Sequence, residues 1–176
     1  MSHSEQYFQS PPPRRIGVLA LIREESSGAV LVVNKSYRQD RAPHSWGLVG
    51  GSAAANELPL AAWQREVAGE TGLHLSPVRL LAEDYVPATS TYAEGYNRVY
   101  DGGTIAPDTQ VVLPDELLEY RFILPEALDV HLTAHSARRT RAALEALAAG
   151  TTVDLVLGYP AAGYQEPGEP VDGSTA

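Results

Sequence analysis

A glycine turn followed by a helix that carries glutamates four residues apart constrains this chain more than any other feature. The segment reads Gly51-Ser-Ala-Ala-Ala-Asn-Glu57 and continues to Arg65-Glu66-Val67-Ala68-Gly69-Glu70-Thr71-Gly72-Leu73. Residues four apart on a helix share a face, so Glu66 and Glu70 stack one turn apart and can address one small volume. Two carboxylates held that close repel each other and lose hydration unless a cation lies between them. A hard divalent ion such as Mg²⁺ or Mn²⁺ takes oxygen ligands and keeps several waters, so a few helical carboxylates are a sufficient protein contribution. Zinc is the poorer match, because no His or Cys accompanies the pair at ligand spacing.

The same residues set the expected helix. Asn56 is read as its N-cap, Glu57 suits the positive end of the dipole, and Pro59 falls in the first turn, where its missing N–H is harmless. Leu60, Trp63 and Val67 recur at helical spacing and are expected to form the buried stripe. Gly72 is a natural stop, which gives a helix from about Glu57 to Thr71.

The spacing Gly51, five residues, Glu57, seven residues, Arg65-Glu66-Val67, then Glu70, Gly72 and Leu73 resembles the signature of the Nudix hydrolase superfamily. Fixed spacings over so long a gapless stretch are more specific than a lone glycine-rich loop. The chain departs from the pattern at Gly69, which stands where the family commonly supplies a metal-ligating glutamate. Two readings of Gly69 stay open: a weakened metal site in which water or a loop carboxylate (Glu57, Glu94 or Glu116) replaces the missing oxygen, or chemistry lost altogether. A mid-helix glycine costs about 1 kcal/mol relative to alanine, so helix stability does not explain it.

By position, the resemblance implies that Glu70 is a metal ligand and that Glu66 is a ligand or the base near the attacking water. Arg65, grouped with them as catalytic, and Glu57 resemble the pair that braces loop and helix, with Glu57 and Gly72 structural in the motif. The implied cofactor is Mg²⁺ or Mn²⁺, and the implied fold is an α/β/α sandwich with a mixed β-sheet between helices. The implied reaction is attack of metal-activated water on a diphosphate linkage in a nucleoside diphosphate derivative. Substrate phosphates are expected at Gly50 and Gly51, whose backbone permits close approach, and at Lys35 and Arg38, just after a predicted strand. Homodimers are common in the resembled family.

The rest of the chain is read as strands at Ile16 to Arg23, Ala29 to Asn34, Trp46 to Val49, Val78 to Val86, Asn97 to Thr104 and Tyr120 to Ile123. Ser26-Ser27-Gly28 should turn the first two into a hairpin, with Val18, Ala20 and Ile22 opposing Leu19 and Leu21. A helical turn is expected from Pro125 to Leu128 and a second long helix from Ala134 to Ala149, with Ala143, Leu144 and Leu147 buried and Arg138, Arg139 and Arg141 read as a solvated face in preference to a site for a substrate phosphate. Tyr37, Tyr85, Tyr92, Tyr96 and Tyr100 are available to stack a base or to serve as packing and rim residues. Glu116 or Glu119 is either a loop general base or a surface acid. His131 and His135 have helical metal spacing but are read as marking the start of the last helix.

Length and composition set the outer limits. With 176 residues and 44% hydrophobic content the chain can bury one core, placed at 14–160. Residues 1–13 are read as a flexible leader ending in prolines, and 161–176 as a disordered Gly/Pro-rich acidic tail. There is no cysteine, which excludes disulfide and thiolate chemistry. A net charge of -9 argues against a nucleic-acid polymer as partner. No apolar stretch is long enough to span a membrane and no signal-peptide core is evident, so a cytoplasmic location is expected. Two function classes remain: a metal-dependent diphosphate hydrolase, or a catalytically weakened or silent module of the same fold that binds a nucleotide or a protein.

Overall fold

The computed structural model describes residues 13–37, 44–90 and 92–164. Its strands in chain order are β1 (Arg15–Glu24), β2 (Val30–Lys35), β3 (Trp46–Ser52), β4 (Leu80–Val86), β5 (Gly95–Ile105), β6 (Leu117–Ile123), β7 (Val153–Val156) and β8 (Tyr159–Pro160). The helices are α1 (Pro59–Thr71), the single turn α2 (Leu128–His131), entered through a 3₁₀ turn at Pro125–Ala127, and α3 (Ala134–Ala149). The strands form one sheet in the order β6-β2-β3-β1-β5-β4-β7-β8. It is mixed, because β1 runs parallel to β5 and β4 parallel to β7 while the other neighbours are antiparallel. The expected leader lies outside the described residues up to residue 12, and the expected tail lies outside them from residue 165.

Period-two alternation explains why the sheet is covered on both faces. Val18, Ala20 and Ile22 of β1, with Leu31 and Val33 of β2, pack with Ala62, Trp63 and Val67 of α1. Leu21 of β1, with Val30 and Val32 of β2, packs with Ala137 and Ala143 of α3. Trp63 is fully buried and its indole N–H donates to the Leu19 carbonyl at 3.1 Å, so its one polar group is satisfied. The result is the α/β/α sandwich expected from the sequence.

Several local expectations are corrected. The turn at residues 26–28 forms, but β1 and β2 pair only at Arg23↔Val30, because β3 inserts between them and takes both strands as partners. Helix α1 begins at Pro59, with extended Leu58 as its cap and no side-chain capping bond. Asn56 sits in the left-handed region instead, with φ of 63°. The residue before a proline is driven out of helical backbone, which moves the start past Glu57. Leu60 is exposed, and Ala62 takes the buried position beside Trp63. Gly72 does stop the helix, with φ of 71° and its N–H bonded to the Ala68 carbonyl.

Helix α3 has the bounds expected, but its arginines are not a solvated row. Arg139 is buried, and its Nε donates to Asp84 Oδ2 of β4 at 2.6 Å. Asp84 Oδ1 also accepts the Gly158 N–H. Arg138 donates to the Leu157 carbonyl, and Arg141 pairs with Asp129. Removing one partner of a buried ion pair leaves a charge stranded in low dielectric. Arg139→Ala should therefore lower the unfolding free energy by about 3–5 kcal/mol in urea denaturation. Arg121→Ala, which breaks an exposed pair with Glu119 and a stack over the Trp46 ring at 4.8 Å, should cost less than about 1.5 kcal/mol.

Candidate functional site

The site is built where the end of β2, the glycines of β3 and helix α1 meet; the turn expected at Gly50 and Gly51 is instead strand, because β3 continues to Ser52 with these glycines opposite Leu19 and Val18 of β1. Glu70 faces inward from α1 and is 6% exposed. Its Oε1 lies 2.6 Å from Lys35 Nζ, and its Oε2 accepts the Gly50 N–H at 2.7 Å. Lys35, 2% exposed at the end of β2, also donates to the Gly50 carbonyl at 2.6 Å. One carboxylate thus binds both the end of β2 and the backbone of β3. Burial pushes the Glu70 carboxyl above its ordinary value, against the opposing pull of the Lys35 ammonium and the Gly50 N–H.

The two glycines are required by close approach. Gly50 has φ of 134°, and a Cβ there would lie 2.1 Å from the Val18 carbonyl oxygen. At Gly51 a Cβ would lie 2.5 Å from the Glu66 carboxyl carbon, so that carboxylate occupies the space a side chain would fill. Glu66 Oε1 accepts from Arg65 Nη1 at 2.6 Å.

Arg65 closes the outer side of this strand end. Its Nε and Nη2 each donate to Glu57 at 2.8 Å, and Nη2 also reaches the Ser52 carbonyl. Glu57 Oε2 further accepts the Ala54 N–H at 2.8 Å. These bonds, that from Arg65 foremost, lower the Glu57 carboxyl from 4.5 to about 2, so the clasp stays charged through the range in which ordinary carboxylates titrate. Gly69 is exposed, and nothing lies within 4 Å of the position a Cβ would take.

A cleft of about 770 Å³ reaches this corner. Lys35, Gly50 and Gly51 form part of its wall, while Arg15, Asn97, Tyr92, His135 and Arg139 line other parts of it. Glu66 and Glu70 are not lining residues; they stand behind the glycine wall. Tyr37 and Pro87 also line the cleft. Tyr85 and Tyr96 pack on each other with ring centroids 5.4 Å apart, and the Tyr85 hydroxyl donates to Glu94. Tyr100 is buried in the core. Glu94 pairs with Arg14 and Glu119 with Arg121. His131 lies edge-on to Trp46, while His135 lines the cleft. Arg38 lies outside the described residues.

Sequence reasoning missed Arg15, Asn97, His135 and Arg139 as lining residues. A signal existed for Arg139: Asp84 interrupts the apolar run of β4, and a carboxylate buried there demands a cationic partner from elsewhere in the chain. No comparable signal marked Arg15, whose Nη1 reaches Asn97 Oδ1 only because β1 and β5 are neighbours.

The donor set suits a hard cation. The Glu70 carboxylate and the Gly50 carbonyl already close around one, the Lys35 ammonium, at 2.6 Å on each side. Glu66 stands near enough to Glu70 to oppose its ionisation. All these donors are oxygens, as Mg²⁺ or Mn²⁺ prefers. Among the described residues no cluster of three or more His, Cys, Asp or Glu is present, so such an ion would keep waters in its shell.

Comparison with known proteins agrees with this architecture. No curated protein matches the chain. Among solved structures it is similar to a MutT protein from Methanosarcina mazei Go1, with 26% identity over 80% of this chain and 98% of that one and a TM-score of 0.62. A MutT NUDIX hydrolase from Burkholderia pseudomallei shares 26% identity over 77% of this chain and 98% of its own, with a TM-score of 0.60. An ADP-ribose pyrophosphatase from Streptococcus suis 89-1591 shares the fold, with 16% identity, coverage of 82% and 99% and a TM-score of 0.59. The model of the NUDIX domain matches residues 13–144, and the chain belongs to that family.

Proposed function

We propose that this protein hydrolyses the diphosphate linkage of a nucleoside diphosphate derivative bound in the cleft beside Lys35, Gly50 and Gly51. The observation that carries this reading is the buried Glu70 carboxylate, which grips a cation at a side-chain-free strand segment opening onto the cleft. Glu66 and Glu70 are the residues that would hold Mg²⁺ or Mn²⁺. Such an ion supplies an activated water near neutral pH and offsets charge on the bridging and leaving oxygens.

The chain's own groups do the rest. The Gly50–Gly51 segment lets phosphate oxygens approach the backbone without meeting a Cβ. Lys35 provides a compact positive charge at the phosphate end, and Arg15 one at another part of the cleft. Tyr92 offers a ring face for a base or sugar, which gives affinity for a planar group without selecting one. Glu66, whose Oε1 is tethered by Arg65, is the carboxylate set to accept the proton of the attacking water. Arg65 and Glu57 act as positioning residues that hold the end of β3 against the helix.

Gly69 favours a second reading, a module that binds the same ligand without turning it over. Nothing fills the space where a third carboxylate would project. Two measurements separate the readings. Product release from a panel of nucleoside diphosphate derivatives, with Mg²⁺, Mn²⁺ or EDTA, should be metal-dependent and should fall by at least about 100-fold in Glu66→Gln and Glu70→Gln. Ligand binding with no release under any condition would instead establish the module.

Gly69→Glu should raise turnover, since a helical carboxylate fits the open space and adds an oxygen donor. With Mg²⁺ present it should also stabilise α1 by up to about 1 kcal/mol, because glycine is the poorer helix former, whereas in EDTA repulsion from Glu66 should offset that gain. Thermal unfolding beside the release assay checks both effects, and a stabilised variant with unchanged turnover would show that a third carboxylate is not what limits the chemistry.

A further inference from the structure

Lys35 is the only lysine in the sequence; every other side chain in its basic count is an arginine. A lysine is almost never fully buried unless it is paired, yet this one is 2% exposed. Its Nζ bridges a carboxylate oxygen of Glu70 and the carbonyl oxygen of Gly50, each at 2.6 Å. One charged and one carbonyl oxygen are the donors a hard metal ion selects. An arginine could not fill this role, because its charge is spread over a planar fork, whereas an ammonium is a compact point charge. Lys35 also forms part of the cleft wall, so it adjoins both the carboxylate and the space the phosphates would enter.

We propose that the Lys35 ammonium is a built-in placeholder cation, which holds Glu70 and the Gly50 carbonyl until a divalent ion displaces it and then turns to the phosphates of the bound ligand. The proposal rests on the reading that Glu66 and Glu70 hold the metal. Two consequences follow from the exchange. A divalent ion alone binds weakly, because it must first break a buried ion pair and leave an ammonium without its partner. An ion arriving with a diphosphate binds more tightly, because Lys35 exchanges a carboxylate for a phosphate; by linkage, the diphosphate also binds more tightly with metal present.

The single lysine makes the exchange directly observable. In the full chain labelled with ¹⁵N-lysine only one side-chain ammonium signal can arise, and its two short buried hydrogen bonds should protect it from exchange with water. Adding Mg²⁺ with α,β-methylene-ADP should shift that signal or remove it. In Lys35→Met, Mn²⁺ measured by electron paramagnetic resonance without nucleotide should bind at least about tenfold more tightly than to the wild type, because the ion no longer has to displace a buried ammonium from Glu70. At a Mn²⁺ concentration about ten times the variant's Kd, its unfolding midpoint should rise by about 3–5 °C.

A lysine signal undisturbed while Mg²⁺ and the nucleotide are bound overturns the proposal, as does Mn²⁺ affinity that is unchanged or weakened in a folded Lys35→Met. Should that variant not fold, the wild-type lysine signal decides alone. Turnover with metal binding indifferent to Lys35 would remove this inference and leave the proposed hydrolysis standing. Displacement of Lys35 without turnover on any substrate would do the reverse.

Discussion

The corner of the molecule that matters most is organised by one carboxylate that is not allowed to face water. Glu70 comes from α1, Lys35 from the end of β2 and Gly50 from β3, and a single side chain bonds to both of the others. A charge buried there is tolerable only with both contacts present, since either alone leaves an oxygen unsatisfied in a low-dielectric setting. The requirement then spreads outward. The Gly50 N–H can point at Glu70 only if the backbone takes a positive φ, and the Val18 carbonyl leaves no room for a Cβ. Glu66 can lie against the strand only because Gly51 has no side chain either. The Arg65–Glu57 clasp braces the same strand end from outside, where solvent weakens each bond but two parallel donors fix the geometry.

The sheet gives this corner two sides. Helix α1 covers one face and α3 the other, and the cleft is walled partly by α3 residues such as His135 and Arg139. The carboxylates belong to α1, so they would be screened from the cleft by any ordinary strand end. At Gly50 and Gly51 strand β3 interposes backbone without side chains between the two. Chemistry that needs carboxylates on one side and a bulky ligand on the other is thereby possible across the end of β3. The buried Arg139–Asp84 pair has a parallel role at the far wall, joining α3 to β4 beneath the cleft lining.

Much of this was legible in the sequence wherever the controlling physics is local. Strand alternation assigned Val18, Ala20 and Ile22 to one face and Leu21 to the other, and the helix at Ala134–Ala149 followed from its own periodicity. The stop at Gly72 was likewise visible from residue type and order, whereas Gly50 and Gly51, read as a turn, continue β3 because β1 pairs with them. What escaped was non-local. The insertion of β3 between β1 and β2 depends on which strand competes better for an edge, and no window along the chain contains that contest. Arg139 was read as solvated because its helix neighbours are polar, whereas its partner lies 55 residues earlier in β4. Lys35 was expected to meet phosphates and Glu70 to meet a metal, but a pair separated by 35 residues leaves no periodic trace that the two would meet each other.

That meeting changes how Gly69 is understood. Read in sequence, Gly69 is a ligand lost from a pattern. In the structure the corner carries Glu57, Glu66 and Glu70 against Arg65 and Lys35, with Arg65 already divided between Glu57 and Glu66. Among the described cations it is Lys35 that pairs with Glu70, and burial still holds that carboxyl above its ordinary value. A further carboxylate at residue 69 would add negative charge one turn from Glu66 with neither of these cations left to balance it, so it would require a metal ion for the folded state to be comfortable. Glycine removes that requirement. The chain can keep its glycine segment closed around an ammonium with no divalent ion bound, and the absent carboxylate and the buried lysine are two parts of one electrostatic solution.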